Sequence, residues 1–320
     1  MQYQELGSTG IRVSKVAFGA GPISGLMVSD ALQQQQKTVQ RAIELGINWF
    51  DTAATYGGGQ SESSLGTALR STGAAAAKVH VATKVRLAEE QLADIRRGVL
   101  ESFAGSLERL GLERVTLLQL HNSVTRSRGD LPTSLTTDDV LGQCGVLETF
   151  EELRSQGRVD HFGFTGLGDM HSLEKLASDG RFSTVQVPYN ILRIFVEDRS
   201  AGSVDVDYEQ VLKLCQQHQI GSLAIRIFAG GALTGQPPSA HTFKTKFFPL
   251  ELFQKDQIRA NRIASQLPES MSLKEASVRF VSSHPAVSTM LVGFASPEQV
   301  DEVVQFAQAG PLDSNLLSGL

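Results

Sequence analysis

Ile47-Asn48-Trp49-Phe50-Asp51-Thr52-Ala53-Ala54-Thr55-Tyr56-Gly57 runs from a strand-type apolar segment into an acid, small polar residues, a tyrosine and then Gly58 and Gly59. Apolar residues of this kind want the inside of a sheet, which puts Asp51 where a buried strand meets solvent. Tyr56 is expected just beyond, on a loop its glycines leave pliable. Val79-His80-Val81-Ala82-Thr83-Lys84 is a second apolar run, closing on a lysine. Val115-Thr116-Leu117-Leu118-Gln119-Leu120-His121 is a third, closing on a histidine and followed by Asn122. An acid, a tyrosine, a lysine and a histidine thus fall at the carboxyl ends of three successive strands. A parallel sheet gathers such ends on one rim, where α/β proteins carry out chemistry.

Outward from these strands the chain alternates regularly. Strands begin near Val16, Ile47, Val79, Val115, Val159, Thr184, Leu223 and Thr289, and helical periodicity follows each of them. The stretch 90–110 carries Ile95, Val99, Phe103, Leu107 and Leu110 on one helical face. Before the first strand, apolar segments flank Gly7-Ser8-Thr9-Gly10, whose residues are turn chemistry. Eight βα units in about 300 residues predict an α/β protein, a (β/α)8 TIM barrel with an N-terminal β-hairpin, rather than a doubly wound sheet. No Pro- or Ser-rich linker divides the chain, so 1–320 is read as one domain: the hairpin over 1–16, then the barrel. Rim loops over 123–137, 191–207 and 235–249 are long enough to wall a substrate site.

The 320 residues are 41% hydrophobic and 20% charged, enough for a large core. A net charge of -5 and a pI near 5.8 argue against a nucleic-acid or anionic-membrane surface and leave small molecules as the expected partners. No basic segment precedes an apolar one at the N-terminus and no apolar run approaches bilayer length, so a cytoplasmic protein is expected. The oligomeric state is not legible. Cys144 and Cys215 lack CxxC spacing and are expected to be buried reduced thiols. No HxH, HExxH or GxSxG pattern occurs, so neither a metal site nor a hydrolase elbow is expected. Gly19-Ala20-Gly21-Pro22-Ile23-Ser24-Gly25 places its third glycine one position late for a dinucleotide fingerprint, and Pro22 is a poor start for the helix that phosphates need. It is read instead as a glycine-permitted turn over the rim, with its backbone near a cofactor.

Asp51, Tyr56, Lys84 and His121 are each weak signals alone, since a strand-end Asp or Lys is ordinarily a salt-bridge partner and a lone His ordinarily structural. Their joint placement supports one chemistry. A tyrosine, with an ordinary pKa near ~10, is a poor proton donor at neutral pH unless a cation favours its phenolate. Lys84 would supply that cation, Asp51 would hold Lys84, and His121 would bind the substrate oxygen. Such a site protonates a carbonyl oxygen while hydride arrives, or runs in reverse. Side chains do not carry hydride, so a nicotinamide cofactor is expected.

Phe50-Asp51-Thr52-Ala53 with Tyr56-Gly57 and Ser61-Glu62, then Ala82-Thr83-Lys84, Leu120-His121 and Gly230-Gly231-Ala232-Leu233-Thr234-Gly235 resemble the aldo-keto reductase superfamily, in order and over nearly the whole chain. The resemblance implies an NAD(P)(H)-dependent oxidoreductase with Tyr56 as general acid/base, Asp51 and Lys84 tuning it, and His121 orienting the carbonyl. Asn122 and Tyr189 join Tyr56 and His121 as substrate candidates by position. For the cofactor it implies Gly21 and Asp51, Gln186 on the carboxamide, Thr165 where a Ser-Asn pair is usual, Ile225 or Arg226 in place of a stacking tyrosine, and Gly293, Ser296, Gln299 and Glu302 around the adenosine phosphate. A basic residue usually stands where Ser296 sits, which weakens the case for NADP, and Val303 replaces an adenine-contacting Asn. Phe164-Thr165-Gly166-Leu167 and Arg226-Ile227-Phe228-Ala229-Gly230-Gly231 are similar to the L-galactose/L-fucose-type aldose 1-dehydrogenase branch, which oxidises aldoses to lactones with NAD or NADP. The alternatives are an NADPH-dependent reductase of small aldehydes or ketones and a non-catalytic cofactor-sensing subunit of a membrane channel.

Overall fold

A computed structural model describes residues 1–194, 206–245, 249–313 and 316. The chain opens on an antiparallel hairpin of β1 (Tyr3–Glu5) and β2 (Arg12–Ser14). Gly7 turns it at φ 54°, and a Cβ there would come within 2.2 Å of Gly221 N. Leu6 and Val13 are fully buried against Trp49, Ala82, Leu117 and Leu223, so the hairpin plugs the amino-terminal end of a barrel.

Eight parallel strands close that barrel: β3 (Val16–Gly19), β4 (Trp49–Asp51), β5 (His80–Val85), β6 (Val115–Leu120), β7 (Val159–Thr165), β8 (Thr184–Pro188), β9 (Gly221–Ile225) and β10 (Thr289–Val292), with β10 beside β3. The predicted barrel and hairpin are both present. Around it lie α1 (Leu32–Glu44), α2 (Gln60–Ser71), α3 (Ile95–Leu110), α4 (Thr137–Leu141), α5 (Val146–Ser155), α6 (Met170–Ser178), α7 (Tyr208–Gln217), α8 (Leu250–Ala264), α9 (Leu273–Ser282) and α10 (Pro297–Gln308). Strand pleat sorts β4 between two environments. Phe50 faces the helices and stacks on Phe18 at 5.3 Å, while Trp49 packs in the barrel interior with Ala82 and Leu117. Asp51 shares the face of Trp49. Register then carries one row across the sheet, Lys84 to Gln119 to Gly163 to Thr184, and a second from Thr165 to Gln186.

Several boundaries differ from the sequence expectation. The amphipathic stretch 90–110 breaks at Asp94, whose extended backbone and side chain, accepting from Arg97 N, start α3 afresh after a 3-10 turn. β9 stops at Ile225 because Arg226 enters the left-handed region at φ 62°. Loop 123–137 is pinned by Val124, which bridges both Leu135 and Gly168. Within the loops 191–207 and 235–249, residues 195–205 and 246–248 lie outside the described residues. Cys215 is buried as expected, whereas Cys144 is exposed, in a left-handed turn (φ 56°) ahead of α5. No helix among the described residues is long and apolar enough to cross a membrane.

Candidate active site

The four strand-end residues meet at the carboxyl rim. Lys84 Nζ forms an ion pair with Asp51 Oδ1, donates to Thr52 O at 2.8 Å, and donates to Tyr56 Oη at 3.3 Å. His121 stands edge-on to the Tyr56 ring, with centroids 5.7 Å apart. Asp51 does not meet solvent as expected: it is 3% exposed, and Lys84 is fully buried. Burial of a carboxylate is tolerated because every contact it receives is a donor. Beyond Lys84, Gln186 Nε2 donates to Asp51 Oδ2 at 2.7 Å and Gln119 Nε2 at 3.1 Å. Tyr56 and His121 are half-buried, so the pair sits below and these two side chains line the opening.

Burial sets the electrostatics. It disfavours the Lys84 ammonium, but Asp51 and Tyr56 outweigh it and Lys84 is held above its ordinary range. The Asp51 carboxyl is pushed up by burial, with Lys84 and the two amides pulling it back. The Tyr56 phenol also moves up: burial is the larger effect, Lys84 opposes it, and Asp51 adds to it. Lys84 does pull this phenol down as expected, by its charge and its hydrogen bond, but the cost of desolvating a phenolate exceeds that pull. His121 is driven well below the ordinary imidazole range by burial and by the cations Lys84 and Arg86. A neutral imidazole donates from one nitrogen only. Thr55 Oγ1 lies 3.4 Å from Nδ1, and a hydroxyl donated there leaves the ring proton on Nε2, free for a substrate oxygen.

The loop bearing Tyr56 takes its shape from its glycines. Gly57, Gly58 and Gly59 follow one another in the left-handed region, and a Cβ would press Val28 at Gly57 and Arg109 at Gly59. Ser61 Oγ donates to Ala20 O at 2.7 Å, tying the start of α2 to the loop after β3. Fully buried Glu62 accepts from Thr83 Oγ1 on β5 and from Arg109 Nε on α3 at 2.7 Å. The Ser-Glu pair of the sequence motif therefore clamps α2 beside Lys84 and so places Tyr56.

A tyrosine hydrogen-bonded by a buried lysine–aspartate pair, on the rim of a barrel plugged by a hairpin, agrees with the wider comparison. A model of the Aldo/keto reductase family matches residues 15–318. The chain belongs to this family. It is 27% identical over 306 residues to the L-galactose dehydrogenase of Arabidopsis thaliana, covering 95% of this chain and 87% of that one. It is 25% identical to the pyridoxal 4-dehydrogenase of Microbacterium luteolum, over 96% and 93% of the two chains. Among solved structures, the holo form of an aldo-keto reductase from Bacillus halodurans superposes with a TM-score of 0.73 at 24% identity, over 100% of this chain and 95% of that one.

Aldo-keto reductases use NAD(P)(H), and the rim residues here fit such a group. Ser24 Oγ is buried with no hydrogen-bond partner among the described residues, and it lies 3.5 Å from where a Cβ of Gly293 would stand. Ser296 starts α10 without a side-chain cap, and Pro297 follows it in the first turn. Gly21 has φ -66°, which any residue adopts, and the glycine that permits the turn expected of this stretch is Gly25, at φ 76°; a Cβ at Gly21 would face Tyr56 Cε2 at 3.9 Å, placing Gly21 on the site. Thr165 Oγ1 donates to Leu120 O, which leaves only an acceptor for a ligand. A Cβ at Gly166 would lie 3.1 Å from Gln186 O. Gln299 closes the last loop by accepting from Ala295 N. Ile225 is half-buried, whereas left-handed Arg226 directs its guanidinium to within 3.8 Å of Asp256 on α8. Glu302 is paired with Lys274 of α9.

Two substrate candidates lie elsewhere. The Asn122 amide is fully buried, accepting from Leu87 N and donating to Leu87 O and Thr133 O, so it staples the loops after β5 and β6. Tyr189 is 5% exposed, stacked on Phe280 at 5.4 Å, with its hydroxyl 3.1 Å from Glu209. Both follow a strand end, and in each the side chain is already engaged by neighbouring residues. The residues that sequence reasoning passed over are Gln119 and Arg86. Gln119 shares the alternation of Leu117 and so faces inward. Arg86, two places after Lys84, holds Thr133 Oγ1 with Nε and Nη2 and adds positive potential at His121.

Proposed function

We propose that this protein moves hydride between NAD(P)(H) and an alcohol or carbonyl carbon, and that its substrate is an aldose oxidised at C1 to a lactone. The observation that carries the chemistry is Lys84 Nζ in contact with both Asp51 and Tyr56 Oη, beside a neutral His121. Bound nicotinamide supplies the hydride donor or acceptor. Around it, Gln186 and Thr165 would hold the carboxamide, Ile225 would cover the ring, and Gly293, Ser296 and Gln299 would receive the adenosine phosphate. In oxidation Tyr56 Oη takes the substrate hydroxyl proton as the C1–H bond breaks and the C=O bond forms, while His121 Nε2 donates to the same oxygen. Lys84 stabilises the charge that Tyr56 carries before the transfer. Two relatives with dehydrogenase names and the sugar-branch segments support the oxidative direction. The Ser296 hydroxyl engages Glu298, which places a carboxylate where a 2′-phosphate would need a cation and favours NAD. A cytoplasmic location is part of the same reading.

The raised Tyr56 phenol favours a second reading, a carbonyl reductase, because a phenol kept protonated is ready to protonate an alkoxide. The two separate by pH: oxidation should accelerate as pH rises and reduction should slow. Tyr56→Phe tests the common core. It removes one hydroxyl, so NADH and NADPH should still quench protein fluorescence with unchanged Kd, while turnover falls ~10²–10⁴-fold. Full turnover in that variant would reject the assignment.

A further inference from the structure

Arg86 stands two residues after Lys84 and so on the same strand face. Its neighbour across the sheet is His121. Val85 pairs with Leu120, and the ladder runs one step further, with His121 N donating to Val85 O at 2.8 Å. The Arg86 side chain therefore leaves the rim one strand spacing, about 4.8 Å, from the imidazole, and its charge acts on His121 together with that of Lys84. The guanidinium is half-buried and held. Nε donates to Thr133 Oγ1 at 3.1 Å, and Nη2 donates to the same oxygen at 2.9 Å and to Pro132 O at 3.3 Å. These oxygens are neutral, so they fix the plane of the guanidinium without neutralising it. Thr133 itself sits at φ 59°, in the left-handed region that a β-branched residue rarely enters. Two contacts hold it there, Arg86 on its hydroxyl and Asn122, whose Nδ2 donates to Thr133 O at 2.6 Å. Strain of this kind persists only where the surroundings over-determine it, and it gathers at ligand sites. Burial works against the guanidinium as well, pushing Arg86 below its ordinary value. A strained residue and a partly desolvated cation thus hold one planar donor beside His121. An anionic ligand group offsets the desolvation, and a carboxylate matches the plane.

We propose that Arg86 is a specificity residue of this site and receives a carboxylate of the substrate, so that the preferred substrate is a uronate rather than a neutral aldose. This deepens the oxidoreductase reading above and rests on it. In the ring form of a uronate the carboxylate is joined to C5, which the ring oxygen alone separates from C1. The carboxylate therefore reaches Arg86 while the C1 hydroxyl lies between Tyr56 and His121. It takes no part in the bond changes: hydride leaves C1 for nicotinamide, the hydroxyl proton goes to Tyr56, and the product is the lactone of an aldaric acid.

The test uses the full chain, with glucose, galactose and their two uronates as probes and NAD or NADP in excess. Wild type should oxidise a uronate with kcat/KM about tenfold or more above that of its parent aldose, the effect of hydrogen bonding to a charge. Added salt should narrow the ratio. Arg86→Met keeps the stem and removes the charge, and should bring the ratio to about one through KM. Arg86→Lys keeps the charge without the fork and should restore part of it. If Arg86→Met fails to fold, Thr133→Gly takes its place: glycine keeps the left-handed backbone without strain, the oxygen that fixes the guanidinium is gone, and the ratio should fall. An aldose preference in wild type, or the wild-type ratio in folded Arg86→Met, overturns the proposal, since a purely structural Arg86 would change Tm and affect both sugars alike. Calorimetry of glucuronate and galacturonate on the chain with NADH in excess needs no turnover, and absence of binding to wild type overturns the proposal as well. If wild type binds neither NADH nor NADPH, the oxidoreductase reading fails instead, and calorimetry without cofactor decides Arg86. Uronate heat lost in Arg86→Met supports the contact; equal or absent heat overturns it.

Discussion

Lys84→Met removes the cation and keeps the stem that fills the space between Asp51 and Tyr56. In the wild type Nζ meets the Asp51 carboxylate, Thr52 O at 2.8 Å and Tyr56 Oη at 3.3 Å, and Lys84 has no solvent exposure. Without it Asp51 keeps only the Gln119 and Gln186 amides, at 3.1 and 2.7 Å. Breaking a buried pair from one side costs roughly 3–5 kcal/mol because the remaining charge is uncompensated. For a chain of 320 residues that lowers Tm by roughly 4–8 °C. The pH dependence fixes the cause. Burial already raises the folded Asp51 above its ordinary range, and loss of Lys84 raises it further. In the variant the folded state then binds a proton that the unfolded chain, with Asp near ~3.9, has released. Stability therefore falls as pH rises from the unfolded value through the folded one, and acidification recovers part of the loss. Denaturant unfolding at several pH values measures this directly. Asp51→Asn/Lys84→Met leaves no buried charge and should be more stable at neutral pH than Lys84→Met alone. Equal stability of the two, or a loss independent of pH, would refute the buried ion pair as the organising contact of the site.

Ser296→Arg should raise NADP(H) affinity relative to NAD(H), since it supplies a fork for a dianionic phosphate at the start of α10; paired fluorescence titrations read the ratio, and an unchanged ratio would mean that this loop does not contact the phosphate. Gly21→Val is expected to leave Tm nearly unchanged because φ -66° suits any residue, yet to raise KM for bulky substrates by crowding the Tyr56 ring edge 3.9 Å away; an unchanged KM across substrate sizes would place the substrate elsewhere.

The fold was legible because each strand carries its own face pattern and its own stop. Trp49-Phe50-Asp51 reads in, out, in, and an acid after two large aromatics can only be a strand end or a buried pair. The sequence offered both, since Asp51 was expected to hold Lys84, and the structure brings the two together. What was not legible is how deep the pair lies, because that comes from register between neighbouring strands, which no local pattern encodes. The same limit explains Asn122 and Tyr189. Each follows a strand end, but only its neighbours in space decide whether the side chain reaches the rim or is engaged beside it. Gln119 escaped notice for the opposite reason: it lies inside a strand, where a lone polar residue looks like noise until register sets it beside Asp51. Glu62 was legible as part of a motif, and its purpose, a clamp through Thr83 and Arg109, only in space.

Burial joins these particulars into one device. The same desolvation that raises the Tyr56 phenol also drives His121 neutral, and in the proposed reaction only a neutral imidazole would leave Tyr56 as the sole proton-exchanging group at the substrate oxygen. A charged His121 would compete with Tyr56 for that oxygen and weaken Lys84 by repulsion. Lys84 is held above its ordinary range by Asp51, and three donors, Gln119 among them, oppose the rise that burial causes in Asp51. A change at Gln119 therefore reaches Tyr56 through two contacts, Asp51 and Lys84, without touching substrate. Its effect should appear in kcat and its pH dependence before it appears in KM.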